Sequence, residues 1–296
     1  MLTGLLSRST GSARIFENDL FGQMSDVRRY MGVCPQHDVL FELLTPEEHL
    51  DIFYDFKGGD PARKEEELRS LIVDVGVAPD KKKPAGSLSG GNRRKLSVAI
   101  ALCGNSRLVM LDEPTAGMDL SARRGLWDML KNYRNDRIII LTTHYMDEAD
   151  VLGDRIGIMA KGKVICLGSS LFLKNRYGAG YKLTMVKKFK QPNRKIQPYL
   201  ETVFGPVEKL SEVSQEITFK IDYEQAAKFQ DFFAEFDEQM LNLDILSYGI
   251  SMTTLEEVFL KANADVEEKP AAKQDDLDNK DLFNERAEGV SRNSSI

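Results

Sequence analysis

Apolar residues in the first third of the chain recur first at strand spacing and then at helical spacing. Residues 25–36 lead through Val27, Tyr30, Met31 and Val33 to Pro35 and Gln36, which predicts a short helix or turn feeding a strand that proline ends. From residue 46 to about residue 104 the period is helical, because the buried face repeats at i, i+3, i+4 and i+7 in Leu68, Leu71, Ile72 and Val75. We therefore expect a strand ending near Gln36 and an α-helical subdomain at about residues 40–104.

Two apolar runs of strand length follow the helical region. Residues 108–111 and 138–141 lie on either side of a stretch of helical character at about residues 123–133. A buried strand, a helix and a second buried strand form a βαβ unit, whose strands pair in parallel. Residues 1–170 are thus predicted to be an α/β domain with a parallel core sheet.

The pattern changes after a linker predicted at residues 171–180. The predicted elements are a strand at 181–186, a helix at 194–204, strands at 207–213 and 216–221, a helix at 223–237 and a strand at 242–249. This order, β-α-β-β-α-β, is the ferredoxin-like plan of a small α+β domain, which we place at residues 181–263. A last helix is predicted to begin with a capping box formed by Thr253 and Glu256. Residues 264–296 are predicted to be a disordered acidic tail, because few of their side chains are large and apolar.

Composition and charge exclude several classes of protein. The net charge is −6, and the basic residues are scattered, so the basic surface of a nucleic-acid binder is absent. The three cysteines lack the paired spacing of a zinc site. No run reaches the roughly 18 consecutive apolar residues of a membrane span. We expect a cytosolic chain that acts at a membrane only by docking to another polypeptide or segment.

Two carboxylates stand directly after the first apolar run. Residues 108–111 deliver Asp112 and Glu113 to a strand end that Pro114 closes. One acid at such a position can hold a hydrated Mg²⁺ on a nucleotide, and its neighbour can polarise an attacking water. An ordinary strand running into an acidic turn explains this motif equally well when it is taken alone.

A hydroxyl and two glycines open the helix before that strand. Ser89, Gly90, Gly91 and Asn92 precede the basic residues Arg93, Arg94 and Lys95. The free N–H groups and positive end of a helix favour anions, and the glycines permit close approach, so phosphate recognition is favoured over a plain capped start.

His144 follows the second apolar run. Parallel strands end at the same edge of a sheet, where α/β proteins bind ligands, so His144 is expected beside Glu113. A lone histidine is more often structural, but the three signals together favour a nucleotide site.

These residues resemble the motifs of ABC ATPases, in the order of that family. Gln36 is similar to the Q-loop glutamine, Leu88 to Asn92 to the signature motif, Asp112 and Glu113 to Walker B, Asp119 to the D-loop and His144 to the switch histidine. Asn92 replaces the usual glutamine, which is expected to tune phosphate contact. Residues 31–38, 90–97 and 247–259 resemble the A subfamily of eukaryotic lipid exporters, and the resemblance covers residues 1–262.

One motif of the family lacks a counterpart in the sequence. The glycine-rich Walker A loop precedes the Q-loop in ABC ATPases, and its nearest match here, at residues 157–163, is followed by Val164 where a hydroxyl belongs. We expect residues 160–163 to be the turn of a hairpin instead. The absence suggests an N-terminally truncated chain that binds ATP weakly in its own half-site.

The resemblance implies an ATP-hydrolysing domain of a P-loop NTPase-like fold that powers lipid transport at the cytosolic face of a membrane. It assigns Asp112 and Gln36 to Mg²⁺, Glu113 to the general base, and His144 to the γ-phosphate of ATP. Ser89, Gly90, Gly91 and Asn92 would contact ATP bound to a second nucleotide-binding domain paired head to tail, Gln36 would link to the transmembrane domains, and Asp119 would communicate between sites.

Two other functions stay open at this point. The chain is alternatively a non-catalytic domain that donates its signature motif to an intact partner or regulates it. A soluble ABC ATPase acting on chromosomes or ribosomes is disfavoured, because the sequence has neither a long heptad segment nor a basic surface.

Overall fold

In the computed structural model, which describes residues 1–104, 106–177 and 180–268, the chain divides into two units, Met1–Gly153 and Asp154–Ile296. The elements of the first unit are β1 (Arg14–Ile15), β2 (Asn18–Asp19), α1 (Met24–Arg28), β3 (Met31–Cys34), α2 (Pro46–Phe56), α3 (Lys64–Asp74), α4 (Gly90–Leu102), β4 (Leu108–Asp112), α5 (Leu120–Tyr133), β5 (Ile138–Thr142) and α6 (Met146–Leu152). The predicted α/β order and the helical subdomain between β3 and β4 are therefore confirmed.

A parallel sheet of order β3-β4-β5 forms the centre of the first unit. Alternate side chains of a strand point to opposite faces, and one face of this sheet, with Cys34, Val109 and Leu111, belongs to the same buried cluster as α4. The predicted helical face, Leu68, Leu71, Ile72 and Val75, is also buried in that cluster. Burial of these side chains holds the helical subdomain against the sheet.

The strand β5 differs from its prediction as a fully buried strand. It forms the edge of the sheet within the described residues, and Ile138 and Ile140 are 52% and 42% exposed. The sequence run was apolar at every position, but only the alternate residues Ile139 and Leu141 pack against the core cluster. The expectation of a second buried strand is therefore wrong for one face of β5.

The second unit is built mainly from antiparallel strands. Its elements are β6 (Ile156–Ala160), β7 (Lys163–Gly168), α7 (Ser170–Tyr177), β8 (Tyr181–Lys187), α8 (Ile196–Phe204), β9 (Glu208–Val213), β10 (Glu216–Ile221), a 3-10 turn (Tyr223–Lys228), α9 (Phe229–Gln239), β11 (Ile245–Met252) and α10 (Leu255–Glu268). The sheet has the order β11-β8-β10-β9 with every neighbouring pair antiparallel, which confirms the ferredoxin-like plan.

The hairpin predicted in place of a Walker A loop is present. Strands β6 and β7 pair antiparallel, and the two residues between them, Lys161 and Gly162, both have positive φ angles, of 49° and 77°. Two such residues form the tight turn that suits the twist of a hairpin. Residues 157–163 therefore do not form a phosphate-binding loop.

Several boundaries of the second unit differ from the sequence prediction, among them the helix predicted at 223–237, which is a 3-10 turn followed by α9 at Phe229–Gln239. The last strand begins at Ile245, not at residue 242, because the turn after α9 extends to Asp244, which has a φ of 57°. The helix α10 is capped by Thr254, whose hydroxyl accepts from the Glu257 amide, whereas the hydroxyl of Thr253 is buried and donates to the Gly180 carbonyl. The predicted capping box of Thr253 and Glu256 is therefore wrong by one residue.

The unit boundary lies before the hairpin, at residues 153 and 154, so the hairpin and α7 belong to the second unit. The domain boundaries predicted at 170 and 181 stay a prediction. Residues 269–296 of the predicted acidic tail lie outside the described residues, and residues 264–268 continue α10. Across the part of the chain that is described, no helix combines the length and hydropathy of a membrane span.

Candidate functional site

The ends of β4 and β5 bring the two adjacent carboxylates to one edge of the parallel sheet. Asp112 lies opposite Thr142, whose hydroxyl donates to Asp112 Oδ1 at 2.5 Å. The next residue, Glu113, has a φ of 48°, which is uncommon outside glycine, and its amide donates to the Thr142 carbonyl at 3.0 Å. A sparsely populated conformation of this kind costs on the order of 1–3 kcal/mol and is held by its surroundings.

Three predicted site residues meet at the carboxylate of Glu113. Gln36 Nε2 donates to Glu113 Oε2 at 3.3 Å, and His144 Nδ1 lies 3.4 Å from the same oxygen. These residues come from the segments that follow β3, β4 and β5, so parallel pairing of the three strands assembles them. The His144 side chain is 55% exposed, and that of Glu113 is 28% exposed. The cluster is therefore open to a ligand from outside.

His144 makes a tilted ring contact with Tyr145 that the sequence did not indicate. Its ring centroid lies 4.0 Å from that of Tyr145, and the Arg123 guanidinium of α5 lies 4.0 Å from the Tyr145 ring centroid. Cation–π contact of this kind stabilises a ring by about 0.5–2 kcal/mol. The helix that begins after Asp119 thereby supports the residue beside His144.

Arg94 is a central residue of the site, and its predicted part in phosphate binding does not fit the structure. Its side chain is 4% exposed, and it donates to the backbone oxygens of Pro35, Asp112, Glu113 and Pro114 and to the Asp38 carboxylate. A buried guanidinium with these partners has a positioning role. The sequence held a signal for it, because small or apolar residues follow at i+3, i+4 and i+7, in Ser97, Val98 and Ala101.

The turn formed by Ser89, Gly90, Gly91 and Asn92, called here the signature turn, opens α4. The Ser89 hydroxyl accepts from the Asn92 amide at 3.3 Å, and the Asn92 side chain donates to Asp80 at 2.8 Å. A Cβ atom added to Gly90 or Gly91 would meet nothing within 4 Å, so packing inside this chain does not demand glycine at either position. Among the described residues, no hydrogen bond joins the signature turn to Glu113 or His144. The signature turn is therefore an exposed helix N-terminus with open space around its two glycines.

Asp119 caps the start of α5. Its carboxylate accepts from the amides of Ser121 at 2.9 Å and Ala122 at 3.0 Å. The hydrogen bond from the Ala122 amide is the main cause that lowers the pKa of Asp119 below its usual value. The structure therefore shows a helix cap at Asp119, and the communication role assigned by resemblance stays a prediction.

The carboxylates of the site suit a metal that is held mainly by a bound phosphate. No group of three or more histidine, cysteine, aspartate or glutamate side chains forms a metal site in residues 1–104, 106–177 and 180–268. Mg²⁺ on nucleotide phosphates keeps several waters and needs only one or two protein ligands. Asp112 and Gln36 at the strand ends fit that requirement.

Comparison with known proteins gives consistent matches. The family model described as "ABC transporter" matches residues 1–116. ABC transporter A family member 6 of Dictyostelium discoideum is 43% identical over 265 residues, which cover 88% of this chain and 16% of that protein. Phospholipid-transporting ATPase ABCA3 of Homo sapiens is 43% identical over 264 residues, which cover 88% of this chain and 15% of that protein. The chain spans less than a fifth of the length of these relatives.

A solved structure supports the fold of the first part of the chain. The structure titled "Structure of ATP binding subunit of ABC transporter" matches with a TM-score of 0.55 and 25% sequence identity. The match covers 60% of this chain and 74% of that chain. The parallel sheet and its helical subdomain therefore have the fold of ABC ATPase domains.

Proposed function

Since the chain belongs to the ABC transporter family, as a nucleotide-binding domain of the A-subfamily type, we propose that it binds ATP with Mg²⁺ and takes part in ATP hydrolysis that powers lipid transport across a membrane. The observation that carries this proposal is the cluster at Glu113, where Gln36 and His144 both contact one carboxylate oxygen beside Asp112. A general base, a carboxylate for Mg²⁺ and polar groups beside them are among the groups that ATP hydrolysis uses at the γ-phosphate.

Each residue of the cluster has a distinct task in this proposal. Glu113 accepts a proton from the attacking water, since its carboxylate is partly exposed at the sheet edge. Asp112 and Gln36 would hold Mg²⁺, which supplies charge neutralisation on the phosphates when bound. His144 donates a hydrogen bond to the γ-phosphate from the same sheet edge. The hydroxyl of Thr142 orients Asp112 through its 2.5 Å hydrogen bond.

The signature turn serves a different ATP from the one at Glu113. Ser89, Gly90 and Gly91 are at the positive end of α4, where backbone N–H groups attract a phosphate. They have no hydrogen bond to the Glu113 cluster in the described residues, and the space around both glycines is open. A second nucleotide-binding domain, paired head to tail, would bring its ATP to this turn.

Transmembrane domains are the third proposed partner. Three apolar side chains that follow Gln36 are exposed: Val39 by 74%, Phe41 by 58% and Leu43 by 90%. Solvent-exposed apolar side chains at alternate positions of one segment mark a contact surface. We place the docking of the transmembrane domains on this strip, next to Gln36.

Replacement of Glu113 tests the hydrolytic role. The chain is mixed with an intact A-type nucleotide-binding domain, and phosphate release is measured with and without Glu113→Gln. Loss of the general base is expected to lower turnover at the Glu113 site by on the order of a hundredfold. Glu65→Gln is the matched control, because Glu65 is 88% exposed on α3 and its ion pair within the described residues is with Arg69. An unchanged rate in Glu113→Gln would contradict the proposal.

A second candidate function is donation of the signature turn to a partner's ATP without hydrolysis at Glu113. The exposed signature turn favours it, because the space around Gly90 and Gly91 is open. The two candidates are separable in the same mixture. Turnover that falls with a change at Ser89 but not with Glu113→Gln would favour the second candidate.

A further inference from the structure

The segment between Gln36 and α2 is held by main-chain hydrogen bonds to residues 85 and 86. We call residues 36–45 the Gln36 segment. Its Glu42 carbonyl accepts from the Gly86 amide at 2.9 Å, and its Leu44 carbonyl accepts from the Ala85 amide at 2.8 Å. A Cβ atom on Gly86 would lie only 3.3 Å from the Glu42 carbonyl oxygen, which shows how closely the two backbones approach. Residues 85 and 86 precede Ser87 and Leu88, which lead into the signature turn.

A buried histidine fixes the same segment from α2. His49 is fully buried, its Nε2 lies 2.9 Å from the Phe41 amide, and its Nδ1 lies 2.8 Å from the Thr45 carbonyl. An amide nitrogen only donates, and a carbonyl oxygen only accepts, so these partners assign the hydrogen to Nδ1 and leave Nε2 as the acceptor. The His49 ring on α2 therefore contacts two points of the Gln36 segment, the Phe41 amide and the Thr45 carbonyl.

His49 lies next to the capped N-terminus of α2. Thr45 and Glu48 form a complete capping box, in which the Thr45 hydroxyl accepts from the Glu48 amide and the Glu48 carboxylate accepts from the Thr45 amide. Because this cap fixes the first turn, the imidazole has a rigid base from which it holds Phe41. The Phe41 ring itself is 58% exposed and lies on the apolar strip described above.

One continuous path therefore leads from the exposed strip to the signature turn. It passes from Phe41 to the Glu42 and Leu44 carbonyls, and from there to the amides of residues 85 and 86. A displacement of the strip would be transmitted to the start of α4 along these hydrogen bonds only if the segment keeps its shape.

We propose that His49, as its Nδ1–H tautomer, is a positioning residue that locks the Gln36 segment to residues 85 and 86 and so sets the place of the signature turn. The inference rests on the proposed function, since the signature turn matters only if it meets a partner's ATP. His49 touches no reacting group itself, because both ring nitrogens are used by backbone atoms.

Three substitutions distinguish the two ring contacts. The amide oxygen of His49→Gln reaches the position of Nε2 and keeps an acceptor for Phe41, whereas the amide of His49→Asn reaches only the position of Nδ1. His49→Ala removes both. We expect the Phe41 amide, and with it the amides of Ala85 and Gly86, to exchange with solvent about three- to tenfold faster in the alanine and asparagine variants. The glutamine variant should exchange at nearly the wild-type rate.

The measurement uses the whole chain without nucleotide, so its outcome does not depend on ATP chemistry. Nitrogen NMR of labelled histidine adds a direct signature, because the chain has three histidines and His49→Gln identifies the signals of one. The expected signals show a hydrogen on Nδ1 and none on Nε2. Amides of β4 and α5 serve as controls for the overall fold.

Several results would overturn the proposal. A hydrogen on Nε2 would show that the ring does not accept from the Phe41 amide. Normal exchange in His49→Asn but not in His49→Gln would show that the contact with Thr45 is the important one. Faster exchange at Phe41 with unchanged exchange at Ala85 and Gly86 would show that the segment transmits nothing. Unfolding of all three variants would make His49 a residue of the core instead of a positioning residue.

Discussion

At the scale of single residues, the site depends on one buried guanidinium more than on any group that faces solvent. Arg94 reaches the backbone on both sides of the Glu113 cluster, at Pro35 before Gln36 and at residues 112–114. A planar guanidinium can serve several acceptors at once in fixed directions. Gln36 and Glu113 are 77 residues apart in sequence. Arg94, on helix α4, thus fixes the distance in space between the two segments that carry them.

Replacement of Arg94 is expected to destabilise the first unit. Arg94→Met removes the guanidinium donor from Asp38 and from four carbonyls, of which that of Glu113 keeps the Ala116 amide, and should lower the free energy of unfolding by about 3–5 kcal/mol. Arg93→Met is the matched control, since Arg93 lies 3.9 Å from the largely exposed Glu42 and should change stability by less than about 1 kcal/mol. Urea unfolding followed by the fluorescence of Trp127, the single tryptophan, reports on this unit. Equal midpoints for the two variants would argue against the positioning role.

The second unit holds a buried ion pair in its sheet. Lys187 Nζ lies 2.5 Å from Glu212, its side chain is 2% exposed, and Glu212 also contacts the more exposed Lys209 at 3.0 Å. The hydrogen bond from Lys187 is the main cause that lowers the pKa of Glu212, and the one from Lys209 adds to it. Glu212 is therefore the group that keeps a buried ammonium paired.

The charge of Glu212 can be removed by substitution or by low pH, and either change should destabilise this unit. Glu212→Gln leaves Lys187 buried without a counter-charge, at a cost of about 3–5 kcal/mol, whereas Lys209→Met should cost less than about 1 kcal/mol. Since the folded-state pKa of Glu212 is below the ordinary value of 4.5, its contribution is complete above pH 4.5 and declines as the pH falls through the folded-state pKa.

The methyl signal of buried Met185 in urea titrations measures both effects. Between pH 7 and a pH well below 4.5, the wild-type midpoint should fall further than that of Glu212→Gln, in which position 212 does not titrate. Parallel pH dependence in the two proteins would refute the assignment to Glu212.

At the scale of elements, the sequence predicts what depends on local pattern and fails where distant packing decides. Strand ends near Gln36, Glu113 and His144 follow from the apolar runs, and the parallel pairing predicted for residues 108–111 and 138–141 places His144 beside Glu113. That Gln36 joins them depends on the pairing of β3 with β4, which the apolar pattern does not specify. The exposure of Ile138 and Ile140 does not follow, because it depends on which strand forms the edge of the sheet. The burial of Arg94 is missed for a similar reason, since basic residues after a glycine turn also suit an anion.

The start of α10 offers a test of element boundaries. Thr254 caps the helix, while the neighbouring Thr253 hydroxyl binds the Gly180 carbonyl at 2.8 Å, just before β8. Thr254→Val should speed hydrogen exchange of the Glu257 amide. Loss of the cap should lower the stability of the first turn of α10 by about 0.5–2 kcal/mol.

Thr253→Val is the matched substitution for this test. Because Thr253→Val removes a buried hydrogen bond, it should instead lower the protection of the first residues of β8 against hydrogen exchange. The loss of stability there should be about 1–3 kcal/mol. Exchange of the Glu257 amide should stay close to the wild-type rate. If Thr253→Val exposed the start of α10 and Thr254→Val did not, the capping assignment would have to be reversed.

At the scale of the whole molecule, charge opposes association of similar chains. The net charge is −6, so a second acidic domain would be repelled at low ionic strength, and ATP adds further negative charge. Pairing across ATP therefore needs a local site that favours an anion. The N-terminus of α4 provides one, with exposed Ser89 and uncrowded Gly90 and Gly91.

Ser89→Asp is expected to abolish that local advantage while the chain stays folded. Aspartate is as good an N-cap as serine and is favoured at the positive end of a helix, so α4 should form as before. The aspartate carboxylate would lie where a phosphate of the partner's ATP binds, and its negative charge would repel that phosphate. Association with an intact A-type domain carrying a non-hydrolysable ATP analogue, measured by sedimentation, should weaken by about tenfold or more, which is 1.4 kcal/mol per factor of ten.

The matched control for this change is Ser87→Asp, two residues earlier. Ser87 is exposed, and its hydroxyl donates to the Pro84 carbonyl within the turn before α4, away from the helix end. The same added charge should leave association nearly unchanged there, and higher salt should reduce the effect of Ser89→Asp, because screening weakens repulsion between exposed charges. Equal weakening by both variants would mean that overall acidity governs pairing, and undiminished association of Ser89→Asp would mean that the signature turn does not meet the partner's phosphate.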